Sequence, residues 1–320
     1  MGSVGSDVKS VVISGVGGDV GSGAVGVIRR HFPGVTVTGI DVDSENVGPY
    51  ICDRFELVPR AEAPNYSDAV SQICADADVF VPTSEAEIEY FAENLPNAIS
   101  GLLLPSISAV QIGLDKFATF NFLKELGIPV PWTAPLSNYQ DDRGPFLVKP
   151  RRGRGSQMVV KAQSMRDIPA STLQENFVAQ QLLEPATSEV TAAVYRSYQG
   201  ELRVVQLRRR LVGGSTSWAE VIENKEALEQ IETISQSLDL RGPINVQYIQ
   251  TDLGPRIFEI NPRLSSTIAM RDAMGFTDLL WWIQELTTGE LQPWSPPKAG
   301  TIGVKTNSPI VISPLQRVGK

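Results

Sequence analysis

The chain has 320 residues, enough for two or three packed units, and 42% of them are hydrophobic. Its formal net charge of −8 excludes a general nucleic-acid binder, because a phosphate backbone demands dense Lys and Arg. Two cysteines without metal-ligand spacing and a single histidine leave no basis for a zinc site.

The start, "MGSVGSDVKS", is short and polar, with no signal-peptide core. No apolar run reaches the ~20 residues of a membrane span, so the expectation is a soluble cytoplasmic protein without a membrane partner. "SVVISGVGGDVGSGAVGVIRRHF" reads as strand, glycine-rich turn and helix, with His31 at the helix end. Gly21, Gly23 and Gly26 fit the spacing of a dinucleotide-binding turn, and Asp41 follows ~20 residues on. That match begins well after the strand, however, so a tight turn flooring a substrate cleft competes with a dinucleotide site. "VTVTGIDVD" and "FELVP" read as strands, "YSDAVSQICADAD" as a helix, "VFVPTS" as a strand, "EAEIEYFAENL" as a helix, and "GLLLPS" closes the set. Strands alternating with helices imply a parallel sheet covered on both faces, running to about residue 105.

An amphipathic helix, "GLDKFATFNFLKELGIPVP", comes next and stops at Gly-Ile-Pro. From there the pattern changes to an antiparallel sheet with helices. "PFLVKPRRGRGSQMVVKA" is strand, basic glycine loop, strand. "FVAQQLLEP" and "EVTAAVYRSYQGELRVVQLRRRLV" add further strands, with Tyr-Gln-Gly as a turn between two of them.

Two stretches carry chemistry. "VKPRRGRGS" puts Lys149 at a strand end, followed by Arg151, Arg152, Arg154 and Ser156, with Gly153 and Gly155 between them. Glycines let backbone amides approach phosphate oxygens and the cations neutralise them, so phosphate binding is favoured over a solvated basic hairpin. "IFEINPRLSST" places Glu259, Asn261 and Arg263 at alternate positions on one strand face, and Gln247 lies on the preceding strand. A carboxylate with two carboxamides suits a hard cation such as Mg²⁺, which takes oxygen ligands and keeps contacts to substrate phosphates. Arg263 would balance charge on a transferring phosphoryl group.

In this order, "GLDKFATFNFLKELGIPVP", "FLVKPRRGRGS", "FVAQQLLEPATSEVT" and "NVQ…FEINPR" resemble the ATP-grasp superfamily, in its carbamoyl-phosphate-synthetase-like and carboxylate-amine ligase branches. The resemblance implies an α/β pre-ATP-grasp domain over residues 1–105. It implies a linker helix with a lid subdomain over 106–185, and an α+β C-terminal subdomain over 186–320. It assigns Lys116 and Lys149 to the ATP phosphates and Arg151 to Ser156, including Arg154 and Gly155, to a closing loop. Gln180, Gln181 and Leu183 fall to the adenine hinge, and Glu189 to the ribose hydroxyls. Gln247, Glu259 and Asn261 fall to magnesium (manganese being an alternative), and Arg263 to the phosphoryl group. Gln247 stands where a carboxylate is common in the superfamily. The basic run "RRRLVGGSTS", with Arg208 and Arg210, is a candidate holder of the substrate carboxylate.

The chemistry implied is ATP-dependent activation of a small-molecule carboxylate as an acyl phosphate, ADP-forming, for attack by an amine or similar nucleophile. A homodimer is compatible with it. The alternatives are an ATP-grasp enzyme acting on bicarbonate or carbamate, an NAD-dependent oxidoreductase, and a nucleotide-binding protein without turnover.

Overall fold

The computed structural model describes residues 8–94, 99–139, 143–153, 159–169 and 176–306, and three sheets organise them. The first is built from β1 (Ser10–Ser14), α1 (Asp19–His31), β2 (Thr36–Asp41), α2 (Gly48–Ile51), β3 (Arg54–Leu57), α3 (Tyr66–Cys74), β4 (Val79–Val81) and α4 (Glu85–Asn94). Its strands are parallel in the order β3-β2-β1-β4. β1 and β4 bury almost every side chain, as strands covered on both faces do. The expected last strand, "GLLLPS", shrinks to one bridge between Leu102 and Phe80, because Pro105 soon removes a ladder donor.

α5 (Ile107–Gly113) and α6 (Lys116–Glu125) connect to the second sheet. Asp115 starts α6 by accepting the backbone N–H groups of Phe117 and Ala118 at 3.0 and 3.2 Å. The second sheet has β5 (Thr133–Pro135), β6 (Phe146–Pro150), β7 (Val160–Ala162) and β8 (Phe177–Gln181), in the order β5-β8-β6-β7 and antiparallel throughout. It has its own small core of Leu136, Tyr139, Phe146, Val148, Phe177 and Ala179.

The third unit contains β9 (Glu189–Arg196), β10 (Leu202–Val212), β11 (Ser215–Ile222), α7 (Lys225–Ser237), β12 (Gly242–Thr251), β13 (Gly254–Asn261), α8 (Ile268–Ala273), α9 (Asp278–Thr288) and β14 (Ile302–Val304). Its strand order is β13-β12-β9-β10-β11-β14, again antiparallel. One apolar cluster joins both ends of the chain. Val25 and Ile28 of α1 share it with Ile268 of α8, with Leu279, Trp282 and Ile283 of α9, and with Tyr195 and Leu207 of the sheet. The first and third units therefore bury a common core, at roughly 25 cal/mol for each Å² of apolar surface removed from water.

This packing explains the glycine spacing in α1. Gly21 and Gly23 lie inside the helix and not in the turn. A Cβ on Gly21 would stand 2.2 Å from the Gly15 carbonyl oxygen, and one on Gly23 would stand 2.6 Å from Ile268 Cγ2. They permit close packing, and the dinucleotide reading of this spacing is not favoured. His31 ends α1 with Nε2 2.8 Å from Asp272 Oδ1. Among the described residues, no helix is long and apolar enough to cross a membrane.

Candidate active site

One cavity of about 1200 Å³ opens between the three sheets. Its floor is the face of the third sheet carrying Glu189, Asn245, Gln247, Glu259 and Asn261. Antiparallel register sets Gln247 opposite Glu259 and Asn245 opposite Asn261, so strand alternation delivers four polar groups to one side. β13 ends at Asn261, and the chain turns there, with Arg263 N–H donating to the Asn261 carbonyl at 2.8 Å. Arg263 thus lies just beyond the strand on which alternation had placed it, yet its side chain still lines the cavity.

Two lysines converge on Glu259. Lys116, at the first position of α6, brings Nζ to 3.8 Å from Glu259 Oε1. Lys149, on β6, is buried with Nζ 5.6 Å from the Phe258 ring centre. Burial pushes the Lys149 ammonium down to about 8; Glu259 opposes that fall and Lys116 adds to it. Burial alone would raise the Glu259 carboxyl, but Lys149, Lys116, Arg263 and Arg209 together hold it below its ordinary range. An oligophosphate entering beside Glu259 meets the two ammonium groups of Lys116 and Lys149 and the guanidinium of Arg263.

The donor set fits a divalent cation. With its amide oriented to satisfy its neighbours, Gln247 donates to Glu259 Oε2 at 2.9 Å, and its oxygen accepts from Arg209 and Asn245 at 3.2 Å. A half-turn of that amide puts the oxygen 2.9 Å from the carboxylate oxygen. Adjacent ligands of an octahedral Mg²⁺, at bonds of ~2.1 Å, stand about 3.0 Å apart, close to that separation.

Gln180, Gln181 and Leu183, expected at an adenine hinge, line the same cavity together with Leu182. The Gln180 amide is already engaged, donating to Thr133 Oγ1 at 3.0 Å, and Gln181 Oε1 accepts from Trp132 N–H at 3.4 Å. Of the basic loop, Lys149 and Gly153 line the cavity. Arg151 instead pairs with Asp115, and Arg152 with Glu89. Arg154, Gly155 and Ser156 lie outside the described residues.

Arg210 is a correction. It projects from the far face of β10 and stacks on Trp218, 4.5 Å from the ring centre. Its neighbour Arg209 faces the cavity and donates to Glu189 through Nε at 2.9 Å and through Nη2. Three consecutive arginines hide the strand phase, but the hairpin turn reveals it. Counting outward from Tyr-Gln-Gly pairs Leu202 with Arg196 and Arg208 with Val190, which sets Arg209 against Glu189.

The far end of the cavity belongs to the first unit and the β10–β11 turn. Gly15, Gly17, Gly18, Asp19, Asp41, Gly213, Gly214 and Ser215 line it. Gly15 adopts φ +59°, and Asp41 Oδ2 accepts the Gly17 N–H at 2.9 Å. Glu87 is buried beside it and accepts hydroxyls from Ser14 and Ser84 at 2.6 Å and from Tyr66 at 2.9 Å. Among the described residues, no group of three or more His, Cys, Asp or Glu could hold a metal.

Residues 114–267 match the model for an ATP-grasp domain, and residues 11–99 match that of a PylC-like N-terminal domain. The chain contains an ATP-grasp domain. The ATP-grasp fold is also that of solved N5-carboxyaminoimidazole ribonucleotide synthetases. An ADP complex of one superposes with TM-score 0.72 at 17% identity, over 92% of this chain and 80% of that one. The Staphylococcus aureus enzyme with ADP gives 0.71 at 18%, with the same coverage. The L-amino acid ligase of Bacillus licheniformis gives 0.66 at 16%, over 87% and 74%. At these identities the likeness is one of fold. Comparison with curated proteins finds no significant sequence match.

Proposed function

We propose that this ATP-grasp protein is an ADP-forming ligase that phosphorylates a small-molecule carboxylate and passes the acyl group to an amine or similar nucleophile. One observation carries the reading: Lys116, Lys149, Glu259, Asn261 and Arg263 share a single cavity with the hinge residues. ATP would lie with its base against Gln180 to Leu183, its ribose at Glu189 and its phosphates over the two lysines. Gln247, Glu259 and Asn261 would hold Mg²⁺, or Mn²⁺ in its place. The cation supplies charge neutralisation and orientation to the triphosphate. Phosphoryl transfer asks mainly for position and electrostatic stabilisation, which this floor supplies without a histidine. The two substrates would occupy the end between the Gly15–Asp19 turn and the Gly213–Ser215 turn, where water can be excluded from an acyl phosphate.

The test combines ATP, Mg²⁺ and pools of amino acids, other carboxylates and bicarbonate, with products read by mass spectrometry. ADP and phosphate released with a carboxylate–amine product support the reading, and bicarbonate dependence alone moves it to the bicarbonate-using branch. AMP with pyrophosphate refutes the acyl phosphate. Tight NADH binding without ATP binding refutes the nucleotide site.

A further inference from the structure

Arg263 does not stand alone in the cavity. Its Nε and Nη2 groups donate to Glu85 Oε1 at 3.2 and 2.8 Å, and Nη2 also reaches Asn261 Oδ1 at 3.3 Å. Nη1 donates to the Leu264 carbonyl at 3.1 Å. A guanidinium has five N–H donors, and these four bonds leave one, on Nη1, for a phosphoryl oxygen. The pair is largely withdrawn from water, with side-chain exposures of 17% for Arg263 and 13% for Glu85.

Glu85 comes from the other end of the chain. It opens α4, in the first unit, and itself lines the cavity. One turn further along the same helix, Glu89 pairs with Arg152 of the basic loop. The helix therefore presents carboxylates, four residues apart, to two arginines at the phosphate end of the site.

We propose that Glu85 is a positioning residue, through which the N-terminal unit holds the Arg263 guanidinium at the place where charge develops during phosphoryl transfer. A fixed donor favours the transition state because it need not reorganise as charge moves. The inference rests on the proposed ATP site.

The test uses the full chain, titrated with Mg²⁺-ADP alone and with aluminium fluoride, whose ADP complex mimics a phosphoryl group in transfer. Fluoride should tighten ADP binding to the wild type, and Arg263→Ala should abolish that gain. Glu85→Ala should reduce it by ~10-fold or more while ADP alone stays within about threefold. Glu85→Gln keeps the acceptor without the charge and should fall between. Adding Glu85→Ala to Arg263→Ala should cost nothing more, because the carboxylate acts through the guanidinium. The inference is overturned if Glu85→Ala keeps the full gain, if its loss adds to that of Arg263→Ala, or if ADP alone weakens equally. A wild type that binds ADP but gains nothing from fluoride also overturns it. A wild type that binds no ADP overturns instead the nucleotide reading beneath it.

Discussion

Asp115→Ala tests how one carboxylate holds the phosphate site together. Asp115 caps α6, whose first residue is Lys116, and it accepts Arg151 Nε through both oxygens at 2.8 and 2.9 Å. Loss of an N-cap costs ~1 kcal/mol. The Arg151 side chain is 39% exposed, so the ion pair is discounted for solvent screening to about 1 kcal/mol. The sum, ~2 kcal/mol, lowers Tm by ~3 °C in a chain of this size. Asp115→Asn keeps a capping oxygen without the charge and should lose about half as much. Burial pushes the Asp115 carboxyl upward, but Arg151 and the amides of Ala118 and Phe117 hold it below its ordinary range. An acid with a depressed folded pKa stabilises above its unfolded value of ~3.9 and loses that contribution as pH falls through the folded one. The gap between wild type and Asp115→Ala should therefore be full near pH 6 and shrink below about pH 4. Thermal melts followed by circular dichroism across that range measure it. If the Ala and Asn variants melt alike, or the gap stays constant into strong acid, the capping argument fails.

Four further outcomes follow from the floor and the lid. Asn261→Ala should weaken apparent Mg²⁺ affinity and recover part of its rate in excess metal, read by Mg²⁺ titration of ADP release. Arg263→Ala should drop kcat by roughly 10²-fold with a modest change in ATP affinity and no rescue by metal, read by steady-state kinetics. Arg209→Ala, which frees Glu189, should raise the ATP KM several-fold, whereas Arg210→Ala should leave kinetics near wild type; equal effects would refute the strand phase. Hydrogen exchange of β6 and β7 should slow when ATP binds, because a four-stranded sheet with a small core opens readily without it.

The parts of the site written along one strand were legible. Glu259 and Asn261 follow a two-residue period along β13, as Asn245 and Gln247 do along β12, which puts side chains on one face whatever the strand packs against. The parts that needed distant pairing were not. Glu85 is a surface-patterned glutamate in its own helix, and only folding sets it against Arg263, 178 residues away. Arg209 sat between two identical neighbours, so residue type carried no phase. Gly21 and Gly23 carried the spacing of a dinucleotide-binding turn, but the constraint behind it was the close approach of the Gly15 turn and α8. Side-chain orientation was thus legible where the element alone set it, and hidden where the tertiary neighbour did.

The separate core beneath β5–β8 has a consequence for how such chains diversify. Leu136, Tyr139, Phe146, Val148, Phe177 and Ala179 bury one another and owe little to the large apolar cluster that joins α1 to α9. The segment enters after α6 and leaves before β9, so it is an insertion with its own interior. It lends the cavity Lys149, Gly153 and Gln180 to Leu183, while the end lined by the Gly15–Asp19 and Gly213–Ser215 turns belongs to the jointly packed units. A lid from another member of the superfamily could be grafted between those two points without reopening the main core. Nucleotide handling and substrate choice then become properties that can be exchanged separately.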